Sequence, residues 1–446
     1  MAKRKIRSEV HVADGAGGMA PIADLRFDPA EWPIRFVVPA DLADHWIAHL
    51  NAECSERGWK TSALSQLEAE ENSGTIVVST GTTGKSPALE IVWERPRGGP
   101  IEVRSRPAGS PALMLEAAHS FLDAVHGRCQ AGIQVRRHRR AHLVYEGLPW
   151  RGELWLGKDL RLGPTARHAS WLLAPQVIIV DAEVEGIGWQ GVNSTFHLLL
   201  RELSIFLNVV VGIDVTVEKS GWAWTYEIDP AGKATKCDLR PLGYWETTSR
   251  SSMPQPGEVP PIPLGPVQRP GLERLGISAE DVEQAVPQDT VDLWERLRGL
   301  PAGQRDRFLR AGNAYQIARS MWPDQRTAYA AFMVVACESL KPPGKRYDDC
   351  NIYDVVEGLL GASEVQHLRH LRLAPQRIRS QHLHRGELAA GELVPILLQT
   401  DFGDPSFHDT VSALTRITRT CLIEWLRRGG TYTLKRPRAA AHRRKR

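Results

Sequence analysis

The interval 248–271 carries prolines at 254, 256, 260, 261, 263, 266 and 270. Each proline fixes φ and removes a backbone donor, so this density excludes regular helix and interior strand. An extended, semi-rigid linker is the expected result over Thr248–Gly271. A chain of 446 residues has room for two or three hydrophobic cores. The prolines therefore predict a boundary between 30–247 and 272–430, flanked by a basic N-terminus (1–29) and a basic tail (431–446).

The two sides differ in pattern. Within 30–247, short β-rich runs read as strands at Ile34–Val38, Thr75–Ser79, Ala88–Glu94, Ile101–Arg104 and Val177–Val184. Trp222–Glu227 and Asp238–Leu242 read as a hairpin around an Asp-Pro-Ala-Gly turn. Helical periodicity covers Ala40–Glu56, Pro111–His126 and Ser194–Val209, the last with Ser194 as the candidate cap. Eleven of the fourteen tryptophans fall here, which suits core and edge packing with a minority left for a recognition pocket. The expectation is an α+β domain that senses a ligand or regulates the C-terminal part.

Residues 272–430 read as all-helical. The candidate helices are Ala279–Ala285, Gln288–Leu297, Gly303–Met321, Pro323–Leu340, Asn351–Leu360, Ser363–Leu373, Pro375–Arg385 and Pro405–Arg428. Pro301, Pro323, Pro342-Pro343 and Pro375 stand where helices start or stop. Gly361, Gly386 and Gly429-Gly430 suit C-terminal caps. Short connections between such helices predict a compact bundle.

Composition narrows the class. Hydrophobic residues at 42% and charged residues at 24% are those of a soluble globular protein. No uncharged apolar run approaches the ~18 residues of a membrane span, and no apolar signal core follows the basic N-terminus. The expectation is a cytoplasmic protein without a membrane partner. None of the six cysteines forms a CxxC pair, which argues against a zinc ribbon and for reduced, buried thiols. Net charge is only +4, but basic residues cluster at Lys3–Arg7, Arg136–Arg140 and Lys435–Arg446. The two terminal clusters suit solvated tails that add salt-sensitive attraction for phosphates.

Most motifs have ordinary explanations. The run 79–86, Ser-Thr-Gly-Thr-Thr-Gly-Lys-Ser, resembles a Walker A loop but lacks its first glycine, and it resembles the phosphate loop of adenylate-forming enzymes but lacks the continuation. A glycine-rich hairpin loop between two strands explains it. His367, His370, His382 and His384 lie among arginines, without a carboxylate or cysteine set to complete a metal shell. There is no Gly-x-Ser-x-Gly elbow and no cysteine in a recognisable catalytic context.

What remains is the run 375–385, Pro-Gln-Arg-Ile-Arg-Ser-Gln-His-Leu-His-Arg, followed by Gly386 and Glu387. It places Arg379 and His384 on a short helical segment ending in glycine. An arginine can grip a phosphate bidentately and a histidine can move a proton near neutral pH. Five residues of ideal helix advance about 7.5 Å and rotate about 140°, so the two side chains do not share one face. Either the helix ends near His384, or two copies of the segment pool their side chains across a dimer. The overlapping pair Arg377 and His382 has the same spacing but puts apolar Ile378 after the arginine.

The segment 377–387 resembles the signature of the HEPN superfamily: arginine, a polar residue, about three variable residues, then histidine. Arg379, Ser380 and His384 fit it. Gly386 and Glu387 resemble the flank of the ApeA-like branch, with Arg385 as an insertion between histidine and glycine. Upstream, the apolar run 328–340 with its embedded Glu338 resembles that family's glutamate-bearing helix. The resemblance covers about 300–430 and leaves 1–270 unassigned.

The resemblance implies an all-α HEPN-like domain, a homodimer with a composite cleft, and metal-independent endoribonuclease activity on RNA such as tRNA. His384 would act as general base or acid and Arg379 would stabilise charge on the scissile phosphate. Ser380 and Glu338 would support them, and Arg377, His382 and Arg385 would bind RNA. No metal or cofactor is expected. It further implies a prokaryotic antiphage, abortive-infection effector, triggered at the N-terminal domain by a phage-derived or small-molecule signal. The alternative is a non-catalytic HEPN module for nucleotide or partner binding and dimerisation.

Overall fold

The computed structural model describes residues 10–13, 19–22, 32–63, 73–80, 87–94, 99–108, 113–146, 148–164, 176–216, 221–228, 234–242, 252–265, 284–322, 325–342, 350–370, 379, 385 and 405–433. The chain forms two compact units: residues 1–137 with 184–197, and residues 138–183 with 198–446. The proline-rich interval does not divide them.

In the first unit, strands β1 (Val10–Ala13), β2 (Met19–Ile22), β3 (Ile34–Val38), β4 (Lys60–Ala63), β5 (Ser73–Ser79), β6 (Ala88–Glu94) and β7 (Ile101–Ala108) form one sheet. Their order is β2-β1-β3-β7-β6-β5-β4. Helices α1 (Ala40–Glu56) and α2 (Leu115–Gln130) pack into its core, where Trp46, Leu50, Phe121 and Val125 meet Ile34, Phe36, Leu89, Ile91 and Val103. Alternate strand positions carry charge, as period-two alternation requires. On these positions Arg106 Nε lies 2.6 Å from Glu90 and Arg104 lies 2.5 Å from Glu94. Strands β5 and β6 pair antiparallel up to Ser79 and Ala88, and the Thr80 N–H donates to the Pro87 carbonyl at 3.0 Å. These contacts close a hairpin around 81–86. The loop itself lies outside the described residues.

A second sheet runs β12-β8-β11-β10-β9. Its strands are β8 (Val135–Glu146), β9 (Leu154–Trp155), β10 (Leu160–Pro164), β11 (Gln176–Gly186) and β12 (Asp214–Thr216). Strand β8 contains the basic cluster 136–140, which sequence periodicity did not mark as a strand. Its alternate residues His138 and Arg140 meet the fully buried Asp181 of β11. His138 Nε2 is 2.9 Å from Oδ1, and Arg140 donates to both oxygens at 2.6 and 2.9 Å. Arg161 of β10 adds a bond at 3.2 Å to Asp181 and another at 3.0 Å to Glu153. Burial opposes the Asp181 charge, but the bonds from His138 and Arg140 hold its carboxyl below the usual carboxylate range.

The proline-rich segment is a strap on this sheet. Proline keeps its acceptor while losing its donor, so the strap pairs through prolyl carbonyls and the few remaining N–H groups. Glu153 N–H donates to Pro260 at 2.9 Å, and Ile262 N–H donates back to Glu153 at 3.0 Å. Gly257 N–H donates to the Glu153 side chain at 2.7 Å. A Cβ on Gly152 would come within 2.4 Å of the Ile262 backbone, so glycine is needed at this approach. Residues 252–265 form no regular helix or strand; they turn at Pro256–Gly257, with Gly257 at φ 87°, and belong to the second unit.

Helix α3 (Gly188–Phe206) starts six residues before Ser194, which therefore lies inside the helix and is not its cap. It continues into a π-turn at Leu207–Val211 closed by Gly212 at φ 82°. The stretch Gly191–Val211 is long and apolar enough to cross a membrane by length and composition, and 61% of its most apolar window is buried in the protein. Core packing accounts for that apolarity. Strands β13 (Gly221–Ile228) and β14 (Ala234–Leu242) pair antiparallel, as the hairpin reading expected.

The C-terminal region is helical: α4 (Thr290–Gly299), α5 (Ala302–Ser320), α6 (Arg326–Glu338), α7 (Ile352–Leu360), α8 (Ala362–His370) and α9 (Pro405–Arg427). Gln284 and Ala285 are not helical, against the expected helix 279–285; its earlier residues lie outside the described set. Phe308 of α5 stacks on Trp425 of α9 at 6.2 Å between centroids. Tyr329 of α6 bonds Thr415 of α9 at 2.6 Å. Arg419 of α9 donates at 2.7 Å to the carbonyls of Val209 and Val210, satisfying groups the π-turn leaves open. Gly312 lets α5 approach α3, since a Cβ there would lie 2.3 Å from Ile205 Cγ2.

Candidate functional site

Helix α6 is built from small and apolar residues, and ten of its thirteen are buried. Glu338 is its last residue, and its side chain is 5% exposed. A carboxylate there needs partners, because burial in an apolar helix interface penalises its charge. Three come from different parts of the chain. The backbone N–H of Ile352, the first residue of α7, donates to it. Lys341, three residues on, brings Nζ to 3.9 Å from Oε2. Arg379, 41 residues beyond Glu338, brings Nε to 3.6 Å from the same oxygen.

Helix α7 starts where it does because Asn351 caps it. The Asn351 side chain accepts from the N–H groups of Tyr353 and Asp354, and Asp354 accepts from the Asn351 N–H at 2.9 Å, a complete capping box. The N-terminal dipole of α7 favours the nearby Glu338 charge. Burial nevertheless dominates and pushes the Glu338 carboxyl above its ordinary range, opposed by Lys341 and Arg379. Burial likewise lowers Lys341, which Glu338, Cys350 and Asp354 oppose and Arg379 reinforces.

Of the expected site residues, Glu338 and Arg379 are therefore brought together. Arg379 is helical and half-buried, and Arg385 is helical and exposed. Arg377, Ser380, His382 and His384 lie outside the described residues. His367 and His370 are exposed on α8, and among the described residues no group of three or more His, Cys, Asp or Glu is arranged to hold a metal ion. Lys341 was missed by sequence reasoning. Its signal was available in the i,i+3 spacing from Glu338, which places both on one side of a helical turn.

The cluster balances two cations, Lys341 and Arg379, against the carboxylates Glu338 and Asp354 in a largely water-excluded place. Chemically it can fix the direction of a guanidinium. The long Glu338–Arg379 contact can also be exchanged for a better one when a stronger anion arrives.

The fold defines a protein with strand-rich N-terminal structure followed by a helical C-terminal region. In comparisons with known proteins, no family model, no curated protein and no solved structure matches the chain significantly.

Proposed function

We propose that the C-terminal helical region is a HEPN-type ribonuclease domain that works as a homodimer and cleaves RNA without a metal. The observation that carries this reading is the 3.6 Å contact between Glu338 and Arg379. The two motif residues that the family resemblance picks out, far apart in sequence, share one cluster.

Three balanced events make up the proposed reaction. His384 takes the proton of the RNA 2′-hydroxyl, and the 2′-oxygen bonds to phosphorus. Arg379 pairs with the phosphate oxygens as negative charge grows on them. The phosphorus–O5′ bond then breaks, and the leaving oxygen takes a proton from an imidazolium. The products are a 2′,3′-cyclic phosphate and a 5′-hydroxyl. Ser380 donates a further hydrogen bond, and Arg377, His382 and Arg385 add positive potential for the RNA backbone. Two copies of the segment resolve the 140° offset between Arg379 and His384.

The wider reading is a cytoplasmic antiphage effector that arrests growth by cleaving host RNA, with the N-terminal region receiving the trigger. The test is cleavage of RNA in EDTA by the full chain. Arg379→Ala and His384→Ala should each abolish it while leaving fold and dimer intact. Equal behaviour of wild type and variants, with no cleavage in any, would instead favour a non-catalytic binding and dimerisation module. Growth arrest on expression, relieved by His384→Ala, is the cellular counterpart.

A further inference from the structure

We propose that Lys341 is a positioning residue for this site: it fixes the Glu338 carboxylate that it shares with Arg379. The inference rests on the ribonuclease reading for its catalytic consequence, but its structural half stands on geometry alone.

Both cations address the same oxygen, Glu338 Oε2, at 3.9 and 3.6 Å. Lys341 is held there by the chain itself, since its N–H donates to the Glu338 carbonyl at 3.3 Å where α6 ends. Its side chain is 11% exposed, which is unusual for lysine and requires a charge partner. Arg379 reaches the same carboxylate from a separate segment, so an ionised, fixed Glu338 helps to direct it.

Lys341 and Arg379 face Glu338, and Cys350 and Asp354 face Lys341 from the start of α7. When Arg379 turns from Glu338 to an RNA phosphate, Lys341 remains to neutralise the buried carboxylate. Loss of Lys341 would remove a cation from beside the Glu338 carboxylate at that step, and the carboxyl would take a proton more readily. A protonated Glu338 no longer pairs with Arg379.

The experiment uses the full chain with Lys341→Met, Lys341→Arg and Glu338→Gln. Two readouts are followed from acidic to alkaline pH: cleavage of RNA in EDTA, and the Glu338 carboxyl by carbon NMR. Lys341→Met should raise the pH at which Glu338 titrates. It should slow cleavage about tenfold to a hundredfold, the range expected when a reacting group is misplaced. The ratio to wild type should be worst at acidic pH, because a merely structural loss would scale all pH values alike. Lys341→Arg should restore both readouts, and Glu338→Gln should remove the pH dependence of the ratio. An unchanged Glu338 titration in Lys341→Met, or a uniform loss across pH, overturns the proposal. If wild type does not cleave RNA, the ribonuclease reading fails. The NMR readout then decides alone: a shift supports the hold of Lys341 on Glu338, and no shift overturns it.

Discussion

Two buried carboxylates in the second unit gather basic side chains in opposite ways. Asp181 is saturated: His138, Arg140 and Arg161 reach it through contacts of 2.6–3.2 Å along neighbouring strands. Glu338 accepts from the Ile352 N–H and has Lys341 and Arg379 at 3.9 and 3.6 Å. The strand ladder fixes its pairs by register, so the Asp181 network behaves as structure. The Glu338 cluster joins a helix end, a helix start and a separate segment through longer contacts.

The largest expected contrast is in stability. Asp181→Asn leaves Arg140 and Arg161 facing a neutral group in a buried site. It should cost about 3–5 kcal/mol, the penalty for breaking a buried pair from one side, read by urea denaturation. Glu338→Gln should cost about 1 kcal/mol, since two long ionic contacts and one backbone hydrogen bond are altered. Equal costs would erase the distinction between the two clusters.

The pH dependence of those costs should also diverge. Asp181 is lowered from 3.8, so its contribution is present above that value and is lost as pH falls below it. Glu338 is raised from 4.5, so its contribution is present below 4.5 and is lost as pH rises through the folded value. Denaturation of the two variants and wild type between acidic and neutral pH should show Asp181→Asn becoming relatively milder in acid. Glu338→Gln should become relatively milder as pH rises from 4.5.

A smaller effect separates both clusters from the first unit. Burial lowers both His49 and His126 from 6.5; Arg128 and His45 add to the effect at His49, and Asp123 opposes it at His126. Their neutral forms favour the fold, so stability should fall as pH drops below 6.5 toward their folded values. His126→Leu should blunt that loss in a thermal-melt series. The smallest change belongs to the exposed pair of Arg416 and Glu364 at 2.9 Å. Arg416→Gln should cost at most about 0.5 kcal/mol, given solvent screening.

Much of the helical region was legible because prolines and glycines punctuate it: α5, α7 and α9 start and end within a residue or so of their sequence-derived limits. Strands β3 and β6 and helix α1 were equally clear, being apolar runs between breakers. Strand β8 was not, because its Arg136–Arg140 stretch shows no apolar alternation; partners from other strands, Asp181 among them, make it a strand. The prolines excluded regular helix and strand from 252–265, but its bonds to Glu153 could not be read from them, since which sheet edge receives prolyl carbonyls is a tertiary fact. For the site, the sequence pointed to Glu338 and Arg379 separately. Their meeting, and the share Lys341 takes in it, depends on how α6, α7 and a distant segment pack.

The most direct test of the central claim is RNA cleavage by the 446-residue chain in EDTA, with wild type, Arg379→Ala and His384→Ala side by side and the product ends identified. Wild type should cleave to 2′,3′-cyclic phosphate and 5′-hydroxyl ends, and both variants should lose cleavage while the dimer persists. Cleavage that survives both substitutions, or that requires a divalent metal, would contradict the claim.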